Sequence, residues 1–403
     1  MRSSRILATM LVVAVASGRL AQAGGPLVYA DDGSIVKWPT TGGRINVVLR
    51  LDQGGLGTLN NSQANALVAN VISVWNNVSQ STVNLTISPT PLSQDVTSAS
   101  YQMFLGSSTI HGFNPVIYDV DGQIVDLYFG GNRGNTVLGY ANSLFYVDAD
   151  GHPAPGDFVE GQMVLNGRFL DGNSLSPNDE VAPSEFEGVI VHELGHMLGL
   201  DHSQINVTDP TNDSQPTMFP YFQKGTIGMR TLKIDDIGWV SYLYPSAQYS
   251  TSFGSISGQV VERVLATDHG FQGINVIARR VGGGRIEAVS CVSGYVYRAG
   301  YGSLDRAGRY FLPGVPSGDY TVEIERIYQG FTNGSSVGPL DPPVGFPGIA
   351  GAEYYNGARE SAFDNKLERT NVAVATGNET TEINIVLNTQ TPVADVTRWL
   401  LYR

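Results

Sequence analysis

The chain has 403 residues, enough for two or three domains that each bury a core of their own. Its formal net charge of −13 argues against nucleic acid and anionic membrane surfaces as partners, since both are bound by basic patches. The single cysteine, Cys291, excludes an internal disulfide and a zinc site built from cysteines.

Residues 1–23 have the pattern of a secretory signal peptide. Arg2 and Arg5 precede an apolar run over 6–16, and a small-x-small cleavage pattern ends at Ala23. The run is short for a membrane span, which favours a cleaved signal peptide over the alternative, an uncleaved anchor. We therefore expect a secreted protein, extracellular or periplasmic, with no stable membrane association.

Strand and helix patterns are mixed between residues 36 and 246. Strands are predicted at 44–51, 82–88, 101–106, 135–141 and 161–167. Apolar residues recur at helical spacing over 62–78, 184–200 and 232–245. Ser184 and Glu187 have the spacing of a capping box at the start of the second helix. This region is predicted to be an α+β domain, a mixed twisted sheet with three helices.

The pattern changes after a linker at 248–254. Short alternating runs are separated by Gly, Pro, Asp and Asn, without a convincing amphipathic helix. The candidate strands are 258–264, 274–281, 295–300, 309–314, 319–327 and 382–388. They predict a C-terminal all-β sandwich over 254–390.

The second predicted helix carries candidate metal ligands. His192 and His196 stand four residues apart, on one face of a helix, so both rings can reach one ion. Gly199 allows the helix to end with a residue of positive φ, and the turn brings His202 back to the same ion. Three neutral imidazoles suit Zn²⁺.

This ligand set predicts an open site. A structural zinc ion normally has four protein ligands, whereas three histidines leave one position for water. Zinc lowers the pKa of bound water to about 7. Glu193, beside the first histidine, is placed to accept the proton of that water and to pass it to the leaving amine. The alternatives are a zinc-bound but inactive domain and chance histidines in a helix.

The motif His192-Glu193-x-x-His196-x-x-Gly199-x-x-His202 resembles the extended zinc signature of the metzincin metalloproteases. Ser203, the residue that follows the motif, resembles the residue at this position in the matrixin branch of that family. Met218, with Pro220 two residues later, resembles the Met-turn of that branch, although Met218 alone could be an ordinary core methionine. The third predicted helix, with Asp235-Asp236, resembles the last matrixin helix. The resemblance implies a zinc endopeptidase acting on protein or peptide substrates.

Three features depart from the matrixin pattern. The gap between His202 and Met218 is long, which predicts an inserted loop over 204–215 near the cleft. The single cysteine lies far downstream, so we expect no cysteine switch. Tyr221 does not stand where some metzincins supply a tyrosine ligand, and it is not assigned to zinc.

The resemblance also implies a substrate-binding strand before the zinc helix. In matrixins the substrate backbone adds as a strand to an exposed sheet edge. Leu138, Gly139, Tyr140 and Ala141 are the candidate residues that offer backbone groups to the substrate. An interior strand is the equally weighted alternative.

Acidic residues at 119–126 form a candidate calcium site. Asp119, Asp121 and Asp126 surround a glycine, and clustered oxygen ligands on a tight turn suit Ca²⁺. The spacing is not that of an EF-hand, and a solvated acidic turn is the alternative. The Asp-x-Asp-Gly run at 148–151 is a weaker candidate of the same kind.

The C-terminal region resembles a transthyretin-like or carboxypeptidase-regulatory-like sandwich. The matching residues are Gly258, Gly273, Asn275, Asp305, Gly308, Tyr310, Pro313, Gly314, Gly318 and Tyr320. No polar residues converge there, so we expect a stabilising or adhesive module in a monomeric protein. Two alternatives to an endopeptidase follow: a binding protein that has lost activity, and a zinc amidase that acts on cell-wall peptides.

Overall fold

The structure is a computed structural model that describes residues 25–30, 32–106, 110–147, 154–174, 178–203, 205, 214–222, 224–225, 228–264, 266–271, 273–294, 308–325 and 353–388. No helix within these ranges is long and apolar enough to cross a membrane. The predicted signal peptide at 1–23 lies outside them and remains a prediction.

A six-stranded sheet forms the N-terminal unit. Its strands are β1 (Thr40–Thr41), β2 (Arg44–Leu51), β3 (Val83–Ile87), β4 (Asn114–Asp119), β5 (Gly139–Leu144) and β6 (Glu160–Asn166). β2 pairs in parallel with β3 and β4, and β4 pairs in parallel with β6. β5 is antiparallel to β6 and lies at the sheet edge.

The sheet of the N-terminal unit has buried apolar residues on both of its faces. Every residue of β4 and β6 is buried, as expected for central strands of a sheet that is covered on both sides. Val116 and Tyr118 pack into the main core, whereas Ile117 faces a second cluster with Phe104 and Val125. The alternation is the two-residue period of a strand.

The helices are α1 (Asn61–Asn76), α2 (Gln123–Phe129), α3 (Pro183–Met197), α4 (Ile234–Leu243) and the short α5 (Tyr249–Ser252). α1 and α3 pack against each other. The three predicted helices are therefore present in the described part of the chain, with α2 and α5 in addition. The mixed α/β content agrees with the predicted class of the N-terminal region.

Two local predictions were wrong. The segment 101–106 is not a strand, since Tyr101–Met103 forms a turn of 3₁₀ helix. The predicted capping box does not form: Ala182 is the N-cap residue and has no side-chain acceptor, and only its backbone N–H donates, to Oε2 of Glu185 at 3.2 Å. Pro183 occupies the first helical position, where a missing N–H costs no hydrogen bond.

The C-terminal β unit, residues 253–388, contains two five-stranded sheets. One is formed by β9 (Asn275–Arg280), β10 (Ala288–Val292), β12 (Gly318–Glu325), β13 (Glu353–Tyr354) and β14 (Val372–Val374). The other is formed by β7 (Phe253–Val264), β8 (Thr267–Gly270), β11 (Arg309–Pro316), β15 (Glu379–Thr380) and β16 (Ile385–Leu387). The predicted strand at 295–300 lies outside the described residues. The transthyretin-like type and the limits 36–246 and 254–390 stay predictions.

Candidate metal centre

Helix α3 is held by packing that leaves no spare volume. A Cβ added to Gly195 would lie 2.3 Å from Sδ of Met218 and 3.0 Å from Cζ2 of Trp75. The indole N–H of Trp75 donates to the Val191 carbonyl oxygen at 2.9 Å. The backbone of α3 therefore packs closely against both Trp75 of α1 and Met218.

The end of α3 is satisfied by side chains from distant elements. Nε1–H of Trp38 and the Ser143 hydroxyl donate to the Met197 carbonyl oxygen, at 2.6 Å and 2.7 Å. The hydroxyl of Tyr244 donates to the Leu198 carbonyl oxygen at 2.6 Å. These bonds fill acceptors that the end of a helix leaves without partners. The last turn, which carries the second histidine, is thereby fixed.

Gly199 redirects the chain as its sequence position predicts. Its φ is +87°, in the left-handed region that favours glycine. A Cβ there would lie 2.6 Å from Cε2 of Phe158. The sharp turn returns the chain so that His202 faces the two helical histidines.

The three predicted ligands meet at one point. Nε2 of His202 lies 3.1 Å from Nε2 of His192 and 3.0 Å from Nε2 of His196. They form the one group of three or more potential metal ligands found within the described ranges. Four ligands at about 2.0–2.1 Å around a tetrahedral zinc ion stand about 3.3 Å apart, close to this spacing.

Backbone carbonyl groups set the tautomers of the two helical histidines. Nδ1 of His192 lies 2.7 Å from the Thr217 carbonyl oxygen, and Nδ1 of His196 lies 2.9 Å from that of Leu200. With Nδ1–H donating, each Nε2 presents a lone pair. Burial lowers the pKa of His192 to about 4, and burial together with the His192 charge lowers that of His196 to about 3. Both imidazoles are neutral at pH 7, the form that binds a metal.

Asp236 organises the turn around Met218. Its Oδ2 accepts from the backbone N–H groups of Thr217 at 2.9 Å and Lys233 at 2.7 Å, and its Oδ1 accepts from Met218 at 3.0 Å. The same Thr217 orients His192 through its carbonyl group. A Met-turn was predicted from Met218 and Pro220, whereas no role was predicted for Thr217 or for the Asp236 carboxylate.

Glu193 is buried beside the histidines and against β5. Burial raises the pKa of Glu193 to about 8, and a hydrogen bond from the Ala141 backbone N–H opposes this shift. Its Oε2 is buried without a hydrogen-bond partner in the described part of the chain. A carboxylate oxygen left unpaired here costs free energy unless a water molecule or substrate group meets it. The donor set and this orphaned oxygen fit a catalytic zinc site better than a closed structural one.

A cleft of about 470 Å³ opens in front of the histidines. Gly139 and Ala141 line one side, and Phe219, Pro220 and Tyr221 line another. Pro220 thus forms part of the cleft wall, while Met218 packs beneath α3.

Backbone groups of β5 face this cleft. The carbonyl oxygen of Leu138 accepts from the Asn166 N–H at 2.9 Å, and that of Leu144 accepts from the Val159 N–H at 2.8 Å. Both donors belong to β6 or to the residue just before it. Because bonding alternates along an antiparallel pair, the backbone groups of Gly139 and Ala141 point away from β6. The side chain of Tyr140 stacks on Tyr128 instead, with ring centroids 4.9 Å apart.

The candidate calcium ligands have partners within the protein and do not meet as a group of three ligand atoms within the described ranges, so the calcium site remains a prediction. Oδ2 of Asp119 accepts from the Val125 N–H at 2.9 Å, and Oδ1 of Asp121 accepts from the Gln123 N–H at 3.1 Å. Asp126 forms an ion pair with Arg168 at 2.9 Å. The unpredicted helix α2 begins after Gly122 and explains this pattern, since two of the carboxylates bind its first N–H groups. The weaker candidate at 148–151 lies outside the described ranges. Most of the predicted loop at 204–215 also lies outside them.

Comparison with protein-family models matches residues 154–245 to the family described as Matrixin. Among curated proteins, macrophage metalloelastase of Oryctolagus cuniculus is 38% identical over 85 residues. This match covers 19% of the chain and 16% of the relative. The segment matched to the Matrixin family, residues 154–245, contains the histidine triad, whose geometry fits zinc.

Proposed function

We propose that the protein is a zinc-dependent endopeptidase of the matrixin type that is exported from the cell. The observation that supports this most is the meeting of three imidazole nitrogens beside Glu193, whose Oε2 has no partner in the described part of the chain. A merely structural zinc site has no use for a buried carboxylate beside its open position.

His192, His196 and His202 would hold the ion, which when bound supplies a polarised carbonyl group and an acidified water molecule. Glu193 would act as the general base and then the general acid, taking a proton from the attacking water and passing it to the leaving nitrogen. Its raised pKa suits a group that must both take up and release a proton. A dication nearby favours the charged form and opposes the shift caused by burial.

We further propose that an extended peptide binds along β5. The outward backbone groups of Gly139 and the carbonyl oxygen of Ala141 would pair with the peptide, as an added strand pairs with a sheet edge, while the Ala141 N–H donates to Glu193. Recognition through the backbone accepts many sequences, so the cleft walls at Phe219 and Tyr221 would supply side-chain preference. Leu138 and Tyr140 contribute by fixing the strand to β6 and to the core beneath it.

The test is proteolysis of casein or gelatin with and without a zinc chelator, by the native chain and by Glu193→Gln. We expect Glu193→Gln to lose at least about 100-fold in kcat, because it removes the general base, and to keep its zinc content. Glu185→Gln is the matched control, since it makes the same change on the same helix, and the Gln oxygen can still accept from the Ala182 N–H.

Proteolysis that survives both the chelator and Glu193→Gln would rule out this mechanism. Zinc-dependent hydrolysis of cell-wall peptides without hydrolysis of casein would instead favour the amidase alternative. Detection of the protein outside the cytoplasm tests export separately.

A further inference from the structure

A buried carboxylate joins the loop of the third histidine to the C-terminal β unit. Asp235, on α4, accepts a hydrogen bond from the Ser203 side chain. Its Oδ1 also accepts from the backbone N–H of Ser290, on β10, at 2.7 Å. All three residues are buried. Since Ser203 directly follows His202, one side chain links the zinc loop to the second unit of the protein.

Helix α4 of the N-terminal unit contacts the C-terminal β unit at two further points beside Asp235. Nε1–H of Trp239 donates to the Ser290 carbonyl oxygen at 2.9 Å. A Cβ added to Gly314, on β11, would lie 2.2 Å from Cα of Gly238, on α4. Helix α4 therefore lies directly against the C-terminal β unit, with no space for a single methyl group between them.

An apolar contact also joins the segment after His202 to the C-terminal β unit. Ile205 is 1% exposed and forms a separate buried cluster with Ile277 and Ala288 of the C-terminal β unit. On the inner side, the Ser203 N–H donates to the Met218 carbonyl oxygen at 2.8 Å. The chain just after His202 is thus held between the turn at Met218 and the C-terminal β unit.

We infer that the C-terminal β unit positions His202, and that its docking on α4 sets the affinity of the metal site. The inference rests on the proposed zinc site. His192 and His196 lie on a helix with its own hydrogen bonds, whereas His202 follows Gly199 on a loop. A ligand on a loop keeps its place through its surroundings, and such supporting contacts change metal affinity by about 10–100-fold.

Ser203, Asp235, Ser290 and Ile205 are therefore positioning residues, which act through His202 and not on the substrate. A purely stabilising interface is the competing explanation. It predicts that disturbing the interface lowers the melting temperature and leaves zinc affinity and ligand geometry unchanged in the folded protein.

The test uses Gly314→Ala in the full chain, which inserts a methyl group between β11 and α4. Gly282→Ala is the matched control, because Gly282 has a similar φ, +74° against +64°, and no atom within 4 Å of an added Cβ. Both variants carry the same backbone strain, and only one separates the units. Zinc affinity is measured by competition with a chromophoric chelator, and ligand geometry by the visible spectrum of the Co²⁺-loaded protein.

We expect Gly314→Ala to bind zinc at least about 10-fold more weakly and to show altered Co²⁺ bands, while Gly282→Ala matches the native chain. Native affinity and a native Co²⁺ spectrum in folded Gly314→Ala would overturn the inference. Ile277→Ala, which removes the contact with Ile205 without inserting a group between β11 and α4, serves if Gly314→Ala does not fold. It should weaken zinc binding in the same direction, and native affinity would again overturn the inference. A native chain that binds neither metal would overturn the zinc site itself, a distinguishable result.

Discussion

Gly195 lies so close to Met218 that a Cβ on the glycine would stand 2.3 Å from the methionine sulfur. This contact fixes how closely α3 packs on the turn at Met218. A glycine inside a helix costs about 0.5–1 kcal/mol relative to alanine, so its presence between the two helical histidines reflects the need for close packing.

Gly195→Ala is expected to destabilise the protein by about 1–3 kcal/mol, because the clash with Met218 and Trp75 outweighs the gain in helix propensity. Urea unfolding measures the loss. In the double variant with Met218→Ala, the two effects should not add, since the second change makes room for the methyl group. An unchanged or increased stability of Gly195→Ala would contradict this packing.

Asp236→Asn is expected to weaken zinc binding by about 10–100-fold. An amide can accept with only one of its two atoms, so the N–H groups of Thr217 and Lys233 lose their acceptor if the nitrogen takes the place of Oδ2. The turn that orients His192 then loosens. Chelator competition measures the affinity, and Asp121→Asn, at an exposed position, is the control.

Gly139→Val is expected to lower kcat by about 10–100-fold with little change in zinc content, because it crowds the general base. A Cβ at this position would lie 3.2 Å from Cγ of Glu193 and 3.4 Å from its Oε1. The backbone of Gly139 does not require glycine, since its φ is not positive. Asn132→Val, in the exposed turn before β5, serves as the control. A native kcat in Gly139→Val would show that Glu193 does not act from this position.

The C-terminal β unit is expected to lose stability as pH rises from about 5 to 8. Burial raises the pKa of Glu353 and of Glu360 from 4.5 to about 7. Between these pH values the folded state binds more protons than the unfolded state, so the stabilisation is complete below pH 4.5 and lost as pH rises through about 7.

We expect the loss to be about 1–2 kcal/mol after allowance for solvent screening. Urea unfolding of metal-free protein at pH 5.5 and pH 8 measures it. Glu360→Gln should flatten the difference, whereas Glu382→Gln, at an exposed position, should not. Equal pH dependence in the two variants would contradict the role of Glu360.

The elements that could be predicted are those with strong local patterns. β2, α1 and α4 agree with their predicted positions to within two residues because burial of one face leaves a clear period in the chain. The wrong or missing elements were short or fully buried. β4 is buried on both faces and has no alternation to detect, and α2 is only seven residues long.

The sequence alone determined the ligand set of the proposed metal site. The spacing of His192, Glu193 and His196 on one helix, the positive φ available to Gly199, and the return of His202 are local properties of the chain. Tertiary structure alone decided which groups surround that motif. It put β5 at the sheet edge, Asp236 under the Met218 turn and Ser290 against Asp235, and it gave Asp119, Asp121 and Asp126 hydrogen-bond or ion-pair partners within the protein. These relationships depend on hydrogen bonds and close contacts between residues far apart in the chain, for which no local period or spacing exists.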